Sequence, residues 1–174
     1  VRMRRLLVLL LIFALLAPAL PAKAETSYYA LSFDGEDDYV DTGKDLDLTT
    51  WSIVSLFKAN NIQRSWIVAK HDGIAGAHIN YALYIKSTGQ LTLRVGDGTN
   101  IWEAKTSPPE VNRTYMASGT FDGRYLKLYI DGALIQNTDT GGITPYNNNE
   151  TLKIGSLGSE DFFSGEIYLV LIYN

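Results

Sequence analysis

From Tyr28 to Asn174 the chain is cut into short runs rich in Tyr, Ile, Val, Leu and Thr, and almost no ten-residue stretch repeats apolar positions at helical spacing. That pattern predicts an all-β domain. Strands are expected at Tyr28–Phe33, Tyr39–Asp41, Trp51–Lys58, Ser65–Lys70, Tyr81–Lys86, Leu91–Val95, Ile101–Lys105, Tyr115–Phe121, Tyr125–Ile130, Ala133–Asn137, Thr151–Ile154 and Glu166–Tyr173. Between them stand five Asp-Gly pairs, at 34–35, 72–73, 97–98, 122–123 and 131–132, which tolerate the positive φ angles of tight turns.

Alternation assigns faces. In Tyr125–Ile130, Leu126, Leu128 and Ile130 share one side of a strand and are expected to point inward. In the hairpin before it, Leu83, Ile85, Leu91, Leu93 and Val95 line one face, while Tyr84, Lys86, Thr92 and Arg94 line the other, which is expected to meet solvent. Trp51–Phe57 and Ile167–Ile172 are apolar at nearly every position, as in strands covered on both sides or central in a sheet. About a dozen short strands are too many for one flat open layer, so two stacked antiparallel sheets are expected, a β-sandwich of the jelly-roll kind. The longest polar connections are Gly141–Glu150 and Ser107–Glu110.

The N-terminus reads differently. Arg2, Arg4 and Arg5 precede an unbroken apolar run, Leu6–Leu16, and Ala22-Lys23-Ala24 offers the small residues that a signal peptidase reads. The run is shorter than a membrane-spanning helix needs. Residues 1–24 are therefore expected to be a signal peptide and 25–174 one domain, secreted or held at the cell surface.

Removal of that leader takes four basic residues (Arg2, Arg4, Arg5, Lys23) and no acid, moving the formal net charge from −4 to −8. Such a balance disfavours nucleic acid, whose phosphates need clustered Lys and Arg. The chain has no cysteine, so there is no disulfide, thiolate metal site or cysteine nucleophile, and packing must hold the domain together.

Several stretches resemble a known family. Phe33-Asp34-Gly35-Glu36-Asp37-Asp38-Tyr39-Val40 looks like the opening strand and turn of laminin-G-like domains of the concanavalin-A-like superfamily. Gly119–Gly132 resembles that family's central hairpin, and Leu152-Lys153-Ile154-Gly155, Phe163-Ser164-Gly165-Glu166-Ile167 and Ile172-Tyr173-Asn174 resemble its closing strands. The sequence departs from the family pattern at Tyr168-Leu169, where an Asp-Glu pair is usual, and at Leu56, where a tryptophan is common. The resemblance implies a jelly-roll-like sandwich that binds glycans or proteins, often with a structural calcium; it specifies no ligand.

Candidate chemistry is sparse. Asp34, Glu36, Asp37 and Asp38 surround a glycine turn, and such hard oxygen donors suit calcium; Asp34 and Asp37 are the leading candidates. For sugar recognition the expected arrangement is an aromatic face against a pyranose with polar groups fixing its hydroxyls, and Tyr84, Arg94, Trp102, Trp66 and Asn80 are the residues able to supply it. His71, Asp72 and His78 form the histidine neighbourhood, expected on an exposed loop. The Glu-x-Asp-x-x-Glu motif of glycosidases on related sandwiches is missing, as are nucleophile-elbow, phosphate-loop and zincin motifs. Sequons at Asn112 and Asn149 are expected in loops. The expected function is a non-catalytic, lectin-like domain recognising carbohydrate. A structural or adhesive surface protein, binding proteins or its own copies, is the alternative, and a glycan-processing hydrolase the weaker one.

Overall fold

The computed structural model describes residues 29–73 and 76–174; the expected leader lies outside them. Twelve strands succeed one another: β1 (Leu31–Asp34), β2 (Val40–Asp41), β3 (Trp51–Ala59), β4 (Ser65–His71), β5 (Ile79–Ile85), β6 (Leu91–Gly96), β7 (Ile101–Lys105), β8 (Thr114–Phe121), β9 (Tyr125–Ile130), β10 (Ala133–Asp139), β11 (Lys153–Ile154) and β12 (Ser164–Tyr173). They form two six-stranded sheets, ordered β1-β12-β3-β8-β9-β10 and β2-β11-β4-β5-β6-β7. Every pairing is antiparallel. No helix among the described residues is long and apolar enough to cross a membrane.

The core lies between the sheets, where alternation delivers one side chain in two. On β3, Trp51, Ile53, Phe57 and Ala59 are buried, and Leu126 and Leu128 of β9 join them. Leu83, Ile85, Leu91, Leu93 and Val95 answer from the second sheet. Aromatic rings knit this core: Trp51 reaches across the layers to Tyr81 at 5.6 Å and lies 5.8 Å from Phe121 within its own sheet, while Phe163, just ahead of β12, meets both Phe33 and Phe57 at 6.1 Å. Each such side chain removed from water contributes roughly 1.5–3 kcal/mol, which is how a chain without disulfides holds two layers together.

Turn geometry and strand register modify this simple alternation. Asp131 and Gly132 both have positive φ, 49° and 83°, so the β9–β10 hairpin closes on the two-residue turn expected of Asp-Gly. Along β12 the register slips between Ile167 and Leu169, making Tyr168 the extra residue of a bulge. The slip reverses the phase of the strand, so Ile167 before it, and Val170 and Ile172 after it, all pack on the core, while Leu169 is exposed. The two apolar runs are thus central strands, as expected, but neither is fully covered on its outer side: Val54 and Leu56 of β3 are only partly buried.

The second sheet departs from expectation more sharply. Its outer face carries a small apolar cluster of its own, Trp66, Ala69, Ile79, Ala82 and Tyr84, with Leu157 packed on it. Leu157 belongs to the segment between β11 and β12, which is pinned by Trp66 N–H donating to Asp161 C=O (3.1 Å) and Phe163 N–H donating to Gly155 C=O (2.7 Å). Tyr84 and Thr92 do face away from the core, yet both are buried; that face does not meet solvent as alternation alone suggests.

Candidate functional site

The outer face of β4, β5 and β6 is where chemistry-bearing side chains converge. Irregularities in the β4–β5 ladder at Ile67 and opposite Asn80 let Ile67 and Val68 both enter the core while Trp66 and His71 share the outer face. The Trp66 ring stacks on Tyr84 at 4.7 Å with a 25° interplanar angle, and the His71 ring lies 5.4 Å from Trp66. The Arg94 guanidinium sits 4.6 Å from the Tyr84 ring, and that of Arg64 lies 6.0 Å from the Trp66 ring. A cleft of about 320 Å³ opens over this layer, bounded by Arg64, Trp66, His71, Arg94, Leu157 and Glu160. Trp66 and Tyr84 are each only 2 % exposed, so the aromatic rings form the foundation of the cleft and the guanidinium groups its accessible wall.

A single carboxylate organises the cations. Glu103 stands opposite Arg94 in the β6–β7 ladder. Its carboxylate accepts hydrogen bonds from Arg94 Nε (2.9 Å) and Nη2, from Lys86 Nζ (2.9 Å) and from Tyr84 Oη (2.9 Å), and pairs with Lys105 Nζ at 2.6 Å. Burial alone would raise this carboxyl group, but hydrogen bonds from Lys105, Lys86 and Arg94 outweigh it and hold it down at about 2. Burial raises the Tyr84 phenol, which stays neutral and donates. A second cleft of about 430 Å³ runs over Glu103 and Lys105 to Thr138, and shares Arg94 and Ile101 with the first.

His71 is not on an exposed loop. It ends β4 and is 7 % exposed, with Nδ1 accepting the Gly73 N–H at 2.7 Å, so its proton resides on Nε2. Burial pushes its pKa down to about 4 despite the neighbouring Asp72. At neutral pH it is therefore an uncharged wall of the cleft. His78 stacks on Tyr146 at 4.3 Å and contacts Asp72 at 2.9 Å.

Of the residues singled out for recognition, Trp66 and Arg94 line the first cleft, and Tyr84 supports both from beneath. Trp102 turns toward the core with Ala104, and its edge borders the second cleft. Asn80 lies apart: it is 1 % exposed, its Oδ1 accepts the Leu48 N–H (3.0 Å) and its Nδ2 donates to Tyr146 C=O (3.1 Å), which holds two loops on the sheet. Asp34 and Asp37, with Asp38, form an exposed group at the β1–β2 turn whose carboxylate oxygens come within 4.8 Å of one another. Asp34 Oδ1 already accepts the Glu36 N–H and Asp38 Oδ2 the Asp34 N–H, leaving one oxygen on each carboxylate. Three such donors fit a hard cation in kind. Asn112 and Asn149 are both exposed in loops.

Sequence reasoning missed Arg64, Glu103 and an ion cage around Lys70. The signal for Glu103 was present: the Asp97-Gly98 turn fixes the β6–β7 register, and that register sets Glu103 against Arg94. Lys70, wholly buried, directs Nζ to Asn148 Oδ1 (2.6 Å), Asp47 (2.9 Å) and Asp45 (3.0 Å).

A two-layer antiparallel sandwich with a cleft over the outer face of one sheet is the architecture of a β-sandwich binding domain, and the family match narrows it. Residues 34–174 match the laminin-G-like family model of the Concanavalin A-like lectin/glucanases superfamily, and the chain belongs to that family. No curated protein matches it by sequence. Among solved structures it is similar to the CBM40 domain of the Ruminococcus gnavus IT-sialidase, solved bound to α2,3-sialyllactose (TM-score 0.64, 15 % identity, covering 84 % of this chain and 89 % of that one). It is also similar to domains LG4-5 of the mouse laminin α1 chain (TM-score 0.66, 16 %, 88 % and 44 %). Domain 4 of a GH43 extracellular arabinanase from Geobacillus stearothermophilus, in complex with arabinotriose, superposes with a TM-score of 0.66 (14 %, 88 % and 73 %). At these identities the likeness is one of fold.

Proposed function

We propose that this chain is a non-catalytic glycan-binding domain of an exported protein, and that it holds its ligand in the cleft over Trp66 and Arg94. The observation that carries the reading is the pairing of that concavity with polar groups: His71 of β4, Arg94 of β6 and Arg64, just ahead of β4, surround it. Similar folds solved with sialyllactose and arabinotriose support it.

The carboxylates favour binding over hydrolysis. Glu103 is held ionised by three cations and is a poor proton donor. Burial raises the Asp161 carboxyl, but Asp161 pairs with Arg64 at 2.9 Å and follows Glu160 in one segment, so these two acids do not flank a bond from opposite sides. A calcium ion, if bound, would be held by Asp34, Asp37 and Asp38, where it would neutralise their mutual repulsion and tie down the β1–β2 turn. A glycan array probed with the full chain, with and without calcium, tests the reading; silence under both conditions would overturn it.

A further inference from the structure

We propose that the two clefts are one groove whose occupant is an acidic oligosaccharide, the carboxylate or sulfate of one sugar unit meeting Arg94 and the chain continuing over Lys105 toward Thr138. This rests on the glycan-binding reading and adds the length and charge of the ligand.

Length follows from continuity. The clefts share Arg94 and Ile101 and together extend from Leu157 across β6 and β7 to Thr138. At about 320 and 430 Å³, each alone falls within the range of a small-ligand site.

Charge follows from what the groove exposes. A neutral pyranose is held largely by stacking on an open aromatic face, and here Trp66 and Tyr84 are withdrawn to 2 % exposure beneath the guanidinium groups. The accessible groups are N–H donors instead. Lys86, Arg94 and Lys105 share the one carboxylate of Glu103, which leaves a local surplus of positive charge on a chain whose net charge is −4. Arg94 directs Nε and Nη2 to Glu103, and its Nη1 has no bond among the described residues. Acids also face the groove: Glu160 lines its far end, and Asp161 neutralises Arg64. They place the ligand's anionic group on the Arg94 side. An anion there gains a charge-assisted, planar hydrogen bond of the kind guanidinium favours.

The test is an array of matched glycan pairs probed with the full chain, each sialylated, uronate-bearing or sulfated glycan beside its desialylated, carboxyl-reduced or desulfated counterpart. The expected result is binding of acidic members with at least about tenfold preference over their counterparts, weakening as salt rises. Which acidic class responds separates carboxylate from sulfate. Arg94→Gln should reduce affinity about tenfold; Lys105→Gln, at a partly exposed site, provides a second variant should the first misfold, and Arg124→Gln, in the β8–β9 turn of the other sheet, should change nothing. Equal binding of acidic and neutral partners, or binding unaffected by both groove variants, would overturn the inference while leaving a glycan-binding domain. Failure to bind any glycan removes both.

Discussion

His71 and Glu103 are two residues through which this fold responds to acid. A free imidazole takes its proton near 6.5 and the buried His71 only near 4, so between those values the unfolded chain binds more protons than the folded one. Stability therefore declines as pH falls from 6.5 to 4, and His71→Asn should remove that part of the decline, read as Tm against pH. Glu103 acts lower: its ordinary value is 4.5 and its folded value about 2, so the stability it contributes is complete above 4.5 and is lost as pH falls toward 2. Glu103→Gln should lower stability by roughly 1–3 kcal/mol at neutral pH, since Lys86, Arg94 and Lys105 lose their shared counter-charge, and its Tm should fall less steeply between pH 4.5 and 2. A Glu103→Gln protein as stable as the parent at pH 7 would show that the cluster is solvated rather than structural.

At the level of elements, β4 is held to its surroundings by Lys70. Its ammonium group fastens the strand to the 45–47 segment and to the polar connection that carries Asn148, whose Nδ2 donates in turn to Lys70 C=O and His78 C=O at 3.1 Å. The hydrogen bond from Lys70 holds the Asp45 carboxyl below its ordinary value. Lys70→Met leaves Asp47, largely buried, without its counter-ion, and should cost about 3–5 kcal/mol. Limited proteolysis of that variant should cut first in 44–48 or 141–150; unchanged resistance there would argue against the cage as a clamp. Strand β6 carries a second constraint. A Cβ on Gly96 would stand 2.3 Å from the Ala77 carbonyl oxygen, a backbone atom that also accepts N–H groups from Ile79 and Gly98. Gly96→Ala should thus destabilise by about 1–3 kcal/mol, measured by chemical denaturation.

For the whole molecule the question is what supplements packing in a domain without disulfides. If Asp34, Asp37 and Asp38 hold calcium with the modest affinity usual for extracellular modules, saturation at 10–100 times the dissociation constant should stabilise the folded state by about 1.4–2.7 kcal/mol. Thermal melts with calcium and with chelator should then differ by several degrees in the parent chain and coincide in Asp37→Asn. Coincident melts in the parent would leave the turn as three solvated acids.

The fold was legible from the sequence because strand formation is local. Alternation at Tyr125–Ile130, the Asp-Gly turns and the number of strands together imply two layers, and the β1–β2 acid group follows from residues that are neighbours in the chain. The cleft was only half legible. Tyr84 and Arg94 were found because alternation assigns them a face, and Trp66 for its ring alone, but a face is not an exposure: Leu157, packed on Trp66 and Tyr84, is brought over the sheet by a segment much later in the chain. Asn80 and Trp102 were drawn into the same group by composition, whereas the ladder irregularity at Asn80 and the inward turn of Trp102 are settled by pairing across strands. Short-range pattern thus determined which residues form strands and how they alternate. Contacts between residues far apart in the chain decided which of those faces water reaches, and so where a ligand can be held.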